Sequence, residues 1–583
     1  MGARPPALLV WLAAGGLVGL AAGAINALAV DEDLWLGLYR LATERVLATV
    51  AVHTAAGAAG FLLAGGFARF GRSLARGQTK PLTAALSLAG RGAGLLAIAC
   101  VFAWTLRAGI PDARIPDLLA RTRPARGPNL LLVVLDTVRA DRLSSYGYAR
   151  PTTPELDAFA RDATRYSSFW STAPWTLPGH ASLFTGAYPM RHGATQEHPS
   201  LARRFATLAE VLRDAGFASF AASGNPLVGP HTGLDQGFAT LVETWRIDGG
   251  EAIPGATFHP VTRAFARFLA AQPRERPFFA FLNYMDAHFP HTPPPELRQR
   301  FARRPIDAQE ADRIGRRSWF DHYLDGPFPA DEMELRSDLY DAELAQLSRE
   351  IGRLLDVLRR DGRYDTTVIA ITSDHGEQFG EHGLVEHAFS LYEPVLRVPL
   401  LLRAPGGARR GDVVEALGQL VDLPQTLLAL CGVESAPLAA QGVNLLDPSA
   451  RREEVIAEYY FPNATLGWVG FDKATRAGPR IAPYLRRLRS IHRDGRKLVW
   501  SSDGRRELYD LRADPGERRD LLAAGDPGAA AARDLEARLD AALERFAEPW
   551  ATAPPQPDRQ LDSLAARLDP ETAERLRRLG YLQ

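Results

Sequence analysis

Asn129-Leu130-Leu131-Leu132-Val133-Val134-Leu135-Asp136 is an unbroken apolar run that stops at an acid. A strand with one solvated face alternates polar and apolar residues. A run with no alternation predicts a strand covered on both faces, as in a parallel sheet sandwiched between helices. Phe217–Ser223, Pro277–Tyr284, Thr366–Ser373 and Val398–Arg403 have the same texture. Helical periods separate them at Thr153–Ala163, Ala206–Ala215, Val261–Ala271 and Glu334–Arg360. Alternating strands and helices predict an α/β domain with a mostly parallel sheet flanked by helices, its site beyond the carboxyl ends of the strands. The polar clusters fall there: Asp136 ends the first run, Asp286 and His288 follow another, and Asp374-His375 follow a third.

Outward from this core, the texture changes at both ends. After about residue 450, Arg486–Leu508 predicts short strands with a turn at Asp503-Gly504, and Pro527–Ala547 a helix, giving a smaller C-terminal α+β subdomain over 451–583. At the other end, apolar stretches at about 7–30, 46–67 and 87–106 each approach the ~20 residues that cross a bilayer. The loop bearing Arg69, Arg72, Arg76 and Lys80 is basic, whereas the preceding one carries Asp31, Glu32, Asp33 and Glu44. By the positive-inside rule the basic loop is cytoplasmic, so three spans place the rest of the chain on the extracytoplasmic (periplasmic or extracellular) side. The expected organisation is a transmembrane segment over 1–107, a Pro- and Arg-rich tether over 108–127, a catalytic domain over 128–450 and the C-terminal subdomain.

Composition removes several function classes. The 583 residues carry 68 basic and 68 acidic side chains, a balance that argues against a nucleic-acid binder. Two cysteines, Cys100 and Cys431, exclude a disulfide scaffold, an iron–sulfur cluster and a Cys-ligated zinc. Only Lys80, Lys473 and Lys497 are lysines.

Two motifs carry chemistry. Asp374-His375 at a strand end is a pair of metal ligands or, alternatively, a turn cap beside a surface imidazole. Pro174-Trp175-Thr176-Leu177-Pro178-Gly179-His180-Ala181-Ser182-Leu183-Phe184-Thr185-Gly186 sets a hydroxyl ahead of a turn, with a short helix expected from about His180. A helix N-terminus stabilises anions, which suits a tetrahedral oxyanion.

On these residues the chain resembles the sulfatase family of the alkaline phosphatase superfamily. Thr176–Gly186 is similar to the signature C/S-x-P-S-R-A-S-L-x-T-G, Asp136 to the first metal-ligand acid, and Asp374-His375 to the second metal pair. Ser390-Leu391-Tyr392-Glu393 with Arg397-Val398-Pro399, and Glu507-Leu508-Tyr509-Asp510-Leu511 with Asp514-Pro515 and Glu517, resemble two further family motifs. The resemblance spans roughly residues 128–525 and implies an alkaline-phosphatase-like fold.

The departures bear on mechanism. Thr176 stands where a sulfatase carries the Cys or Ser that becomes formylglycine, and threonine's Cβ methyl forbids that conversion. Gly179 and His180 replace Ser and Arg, Thr137 replaces a second acid, and no lysine lies between Lys80 and Lys473. The same changes resemble lipid A phosphoethanolamine transferases, lipoteichoic acid synthases and nucleotide pyrophosphatase/phosphodiesterases, which use a metal-bound Thr nucleophile. His387, thirteen positions after Asp374, and His288 resemble the substrate-facing histidines of that branch.

The resemblance implies Asp136, Thr176, Asp374 and His375 as metal ligands and Thr176, His288, His387 and His180 as catalytic residues. His180 is either an oxyanion contact or a structural histidine. An N/O donor set of four favours zinc or manganese, with calcium as the alternative. Asp286 and His382 are candidates for a second metal site. The expected partners are a phosphate- or sulfate-ester substrate, such as a lipid or glycan, and the membrane, with no nucleic acid. The leading expectation is a membrane-anchored, metal-dependent hydrolase or transferase working through a covalent intermediate at Thr176. A strict sulfatase and a non-catalytic ligand-binding relative are the alternatives.

Overall fold

In a computed structural model of the chain, the described residues are 127–248, 259–317, 319–387, 389–438, 440–462, 480, 482–523, 529–548, 551 and 569–578. The chain divides into two units, Met1–Leu119 and Ala120–Gln583, and all described residues belong to the second. The expected spans at 7–30, 46–67 and 87–106 lie outside the described residues. Among the described residues no helix is long and apolar enough to cross a membrane.

Sixteen short-to-medium strands are present among the described residues. Those that build the α/β core are β1 (Asn129–Leu135), β2 (Thr164–Tyr166), β3 (Phe169–Trp170), β4 (Ala218–Ser223), β5 (Thr240–Glu243), β6 (Phe278–Tyr284), β7 (Thr367–Thr372), β8 (Gln378–Phe379), β9 (Val385–Glu386), β10 (Leu400–Arg403), β11 (Val413–Val414) and β12 (Gly418–Gln419). The main sheet has the order β11-β2-β10-β7-β1-β6-β4-β5. Strands β7, β1, β6, β4 and β5 run parallel. Strand β10 runs antiparallel to both β7 and β2, within the mostly parallel sheet that the alternation predicts.

The central strands are apolar throughout because both faces are covered. Leu130, Leu132 and Val134 pack on one side with α2 (Thr176–Thr185) and α3 (Leu208–Asp214). Leu131, Val133 and Leu135 pack on the other with α1 (Pro154–Ala160), α4 (Pro260–Ala271) and the long α5 (Ala330–Asp361). All six of these β1 side chains are fully buried, and each contributes about 1.5–3 kcal/mol of burial. Val134 pairs with Asn283 on one side and Thr372 on the other. That register brings the ends of β1, β6 and β7 to one edge, so the residues just beyond them meet.

The C-terminal part is an antiparallel sheet of β13 (Glu454–Tyr459), β14 (Leu488–Arg493), β15 (Arg496–Ser501) and β16 (Arg506–Asp510), with α6 (Ala529–Phe546) packed on it. The expected turn at Asp503-Gly504 joins β15 to β16; the turn between β14 and β15 and strand β13 were not foreseen. Buried Lys497 ties this sheet to the α/β core. Its Nζ lies 2.9 Å from Glu393 and 2.8 Å from Glu517, the last acid of the C-terminal motif. A final helix, α7 (Pro570–Arg578), is held by Arg246, whose guanidinium reaches Asp569 at 2.9 Å, and by the fully buried Leu576.

Candidate active site

Asp136 caps β1, and the next residue turns the chain sharply. Thr137 has φ 60°, a left-handed conformation that is strained for a β-branched residue. It is held there by its hydroxyl, which lies 2.7 Å from Asp136 O and 3.0 Å from Ala287 O, and by the Tyr340 hydroxyl donating to its carbonyl at 2.9 Å. Its side chain is thus turned from the site, and its backbone N faces Asp374 Oδ1 at 3.4 Å.

Asp374 and His375 follow β7 and are fully buried, as is Asp136. The His375 Nδ1–H donates to Gly376 O at 2.9 Å, which leaves the Nε2 lone pair facing the acids. That Nε2 is 3.4 Å from Asp374 Oδ2 and 3.8 Å from Asp136 Oδ1. Donor atoms of Asp136, Asp374 and His375 all lie within 4.8 Å of one another. Asp136 Oδ1, Asp374 Oδ2 and His375 Nε2 are buried without a hydrogen-bond partner. Three acceptors without a hydrogen-bond partner converging in a buried space, with only the His180 imidazole near Asp374 Oδ2 at 3.3 Å, form a ligand set that a divalent cation fits.

The charges agree. Burial, then the Asp374 charge, pushes the Asp136 carboxyl up to about 6. Burial also acts on Asp374, but His375 and His180 overcome it and draw it down to about 2. Two carboxylates packed together cannot share ionisation equally, and a cation between them would relieve the conflict. Burial pushes His375 down to about 4, so its imidazole is neutral and able to act as a ligand.

Thr176 opens α2, which starts there rather than near His180 as the spacing predicts. Its buried Oγ1 accepts a hydrogen bond from Asn225 Nδ2 at 3.3 Å, and the same Nδ2 donates to Asp136 Oδ2 at 2.8 Å. Close approach of α2 to the β7 end needs Gly179, because a Cβ there would lie 2.9 Å from Asp374 O. One turn along, His180 Nδ1 sits 2.9 Å from Thr176 O and 3.3 Å from Asp374 Oδ2. Burial opposes protonation of His180, but Asp374 and Asp136 outweigh it and raise its pKa above the ordinary value.

His288 and His387 join the site from two other elements. Their rings are 5.0 Å apart, and that of His387 is 4.6 Å from His375, so three imidazoles form a row. His288 Nδ1 bonds Phe289 O at 2.7 Å. His387 Nδ1 faces the Glu377 carboxylate at 3.3 and 3.4 Å. Burial holds both histidines below their usual value. For His288 the Arg575 guanidinium of α7 adds to burial, against Glu377 and Asp374. Strand β9, which leads into His387, is anchored to α5 by a buried ion pair between Arg336 and Glu386 at 3.0 Å.

The second metal site is not assembled. Asp286 Oδ2 is 3.4 Å from His259 Nε2 on the flank of α4, whereas His382 stacks on Tyr392 with ring centroids 3.7 Å apart. Their nearness in sequence to the motifs does not turn them toward one point. Asn225 and Asn283 are not picked out in the sequence, and Glu377 is seen there only as the end of the Asp374-His375-Gly376-Glu377 run, without a role. The only signal for the two asparagines was their position at strand ends.

The sulfatase family profile matches residues 128–433, more than half of the chain. The chain belongs to the sulfatase family. Its relatives include the uncharacterized sulfatase YidJ of Escherichia coli K12, 26% identical over 433 residues that cover 68% of this chain and 83% of that protein. Human arylsulfatase A is 27% identical over 510 residues, covering 75% and 92%. Among solved structures, the phosphonate monoester hydrolase of Agrobacterium radiobacter superposes with a TM-score of 0.56 at 22% identity, covering 72% of this chain and 96% of that one. The fold is therefore the alkaline-phosphatase/sulfatase type, and this sulfatase-family chain is an enzyme of the ester-hydrolase class, which sets aside the non-catalytic alternative. Sulfatases are metal-dependent, and Asp136, Asp374 and His375 are the acid and imidazole donors available here.

Proposed function

We propose that this sulfatase-family enzyme cleaves phosphate or sulfate esters through a covalent intermediate on Thr176. The observation that carries the reading is the single Asn225 Nδ2 donor shared by Thr176 Oγ1 and Asp136 Oδ2, while the other oxygen of that carboxylate, Oδ1, is one of the three partnerless ligand atoms. Asp136, Asp374 and His375 would hold the ion, zinc or manganese by donor chemistry, with Thr176 as a fourth contact. A divalent ion there supplies Lewis-acid stabilisation of charge on the ester oxygens.

In the first half-reaction Thr176 Oγ1 attacks the phosphorus or sulfur, the bond to the leaving alcohol breaks, and the hydroxyl proton ends on that alcohol. In the second, water or an acceptor hydroxyl takes the group from Thr176 and returns the proton to Oγ1. With the Nδ1–H of His288 committed to Phe289 O, its Nε2 carries the lone pair and is the atom that takes up a proton and passes it on. His387, its Nδ1 turned to Glu377, serves beside it in the same way. His180 supports Asp374 from below and stands closest to Thr176 in sequence among these groups.

The formylglycine route is closed at Thr176, so hydrolysis of sulfate esters here uses the threonine oxygen itself. We also propose that the apolar stretches at 7–30, 46–67 and 87–106 anchor the chain, with the catalytic region outside the cytoplasm. Metal-loaded full-length protein assayed against a phosphodiester, a phosphomonoester and a sulfate ester tests the activity. Turnover on one class that survives Thr176→Val, or silence on all three, would overturn it.

A further inference from the structure

The end of β4 carries a polar network whose amides take no part in the two half-reactions. Asn225 is fully buried two residues after β4 ends. Its Oδ1 accepts from the Leu227 backbone N–H at 2.8 Å, and its own N–H donates to Ser223 Oγ at 3.0 Å. These contacts settle which end of the amide points where. A flipped amide would set an NH2 against the Leu227 N–H and an oxygen against the Asp136 carboxylate. Nδ2 therefore faces the site, where it meets Asp136 Oδ2 at 2.8 Å and Thr176 Oγ1 at 3.3 Å.

A second amide extends the arrangement. Ser223 Oγ lies 3.0 Å from Asn283 Oδ1, and Asn283 Nδ2 donates to the same Asp136 Oδ2 at 3.3 Å. Two amides occupy one oxygen of Asp136 and leave the other, Oδ1, without a partner toward Asp374 and His375. Asn225 thus fixes the rotation of the carboxylate and, through the same nitrogen, the position of the hydroxyl.

We propose that Asn225 is a positioning residue that holds the Thr176 oxygen for attack and stabilises it as it loses its proton. This rests on the reading that Thr176 is the nucleophile. A hydrogen bond to oxygen strengthens as negative charge develops on it, so the contact favours the attacking state over the resting one. The amide does this without adding charge, in a chain with no lysine between Lys80 and Lys473.

The test uses full-length, metal-loaded protein with bis-para-nitrophenyl phosphate and para-nitrophenyl sulfate, on whichever is turned over. Asn225→Ala is expected to lower kcat by about a hundred- to a thousandfold, the cost of a lost oxyanion-type donor. KM should stay within about threefold and metal content, by elemental analysis, should be unchanged, because the three partnerless ligand atoms remain. Asn225→Asp keeps the acceptor for Leu227 and hence the local fold, but removes the donor; its kcat should fall at least as far. An unchanged kcat in both variants overturns the proposal. So does a fall accompanied by loss of metal in Asn225→Ala, which would mean that Asn225 serves Asp136 alone. The nucleophile reading is scored separately, by mass spectrometry of the trapped adduct in unsubstituted protein. An adduct on Thr176 with kcat untouched in the Asn225 variants sinks this inference and leaves that reading standing; an adduct elsewhere sinks both.

Discussion

Thr176→Val exchanges one buried oxygen for a methyl and leaves the shape of the side chain almost unaltered. Thr176 is fully buried at the start of α2, and both residues are β-branched, so the rotamer is retained. The lost acceptor leaves one N–H of Asn225 Nδ2 buried without a partner, while the other still donates to Asp136 Oδ2 at 2.8 Å. The stability loss should therefore be about 1–3 kcal/mol. Activity should respond on another scale. With no oxygen to attack, covalent turnover ends, and a fall of at least about a thousandfold is expected. Thr176→Ser supplies the control. It keeps the oxygen but gives up a buried methyl, about 0.8 kcal/mol of packing, and the restriction on χ1. Freedom among three staggered wells dilutes the productive one by about threefold. Together these predict kcat within about tenfold of the unsubstituted enzyme. The assay is steady-state turnover of an activated ester with the metal supplied, alongside thermal unfolding and mass spectrometry of the trapped adduct. A Val variant that folds and keeps more than about a tenth of kcat would refute the covalent reading and favour direct attack by water.

Three further outcomes are expected. Asp374→Ala should lose metal and activity while the sheet survives, since no core side chain rests on the carboxylate; full occupancy by elemental analysis would show the ligand assignment to be mistaken. His192, pushed down to about 3 by burial, accepts from the Ala194 N–H at Nδ1 and so stays neutral when folded. The unfolded chain takes up that proton below about pH 6.5, so stability is complete above that pH and declines as pH falls toward about 3, by about 2 kcal/mol at pH 5. Urea titrations of unsubstituted and His192→Gln protein at pH 7.5 and pH 5 should diverge by that amount, and parallel losses would contradict it. A reporter fused after residue 127 should be active only outside the cytoplasm and one near Arg76 only inside; a cytoplasmic signal from the first would remove the span at 87–106.

The groups that define the site divide by how far their partners lie along the chain. Leu130–Leu135 had to be a strand covered on both faces, because a run with no polar residue has no side to give to water. Asp136, Asp374 and His375 were legible because each follows a strand whose period can be read locally, whereas Thr176 was singled out by its motif, its helix being expected only from about His180. The direction of β10 was not legible, since a short apolar strand pairs equally well either way and only its neighbours β7 and β2 decide. Asn225 and Asn283 reach Asp136 across 89 and 147 residues, and an asparagine after a strand looks like any turn residue until the register brings three strand ends together. The same register that gathers them leaves Asp286 with His259 and His382 with Tyr392. Local sequence thus determined which residues end strands and what chemistry they carry. Only the packing of those strands, through the directions it gives their last side chains, decided which of them share one buried space.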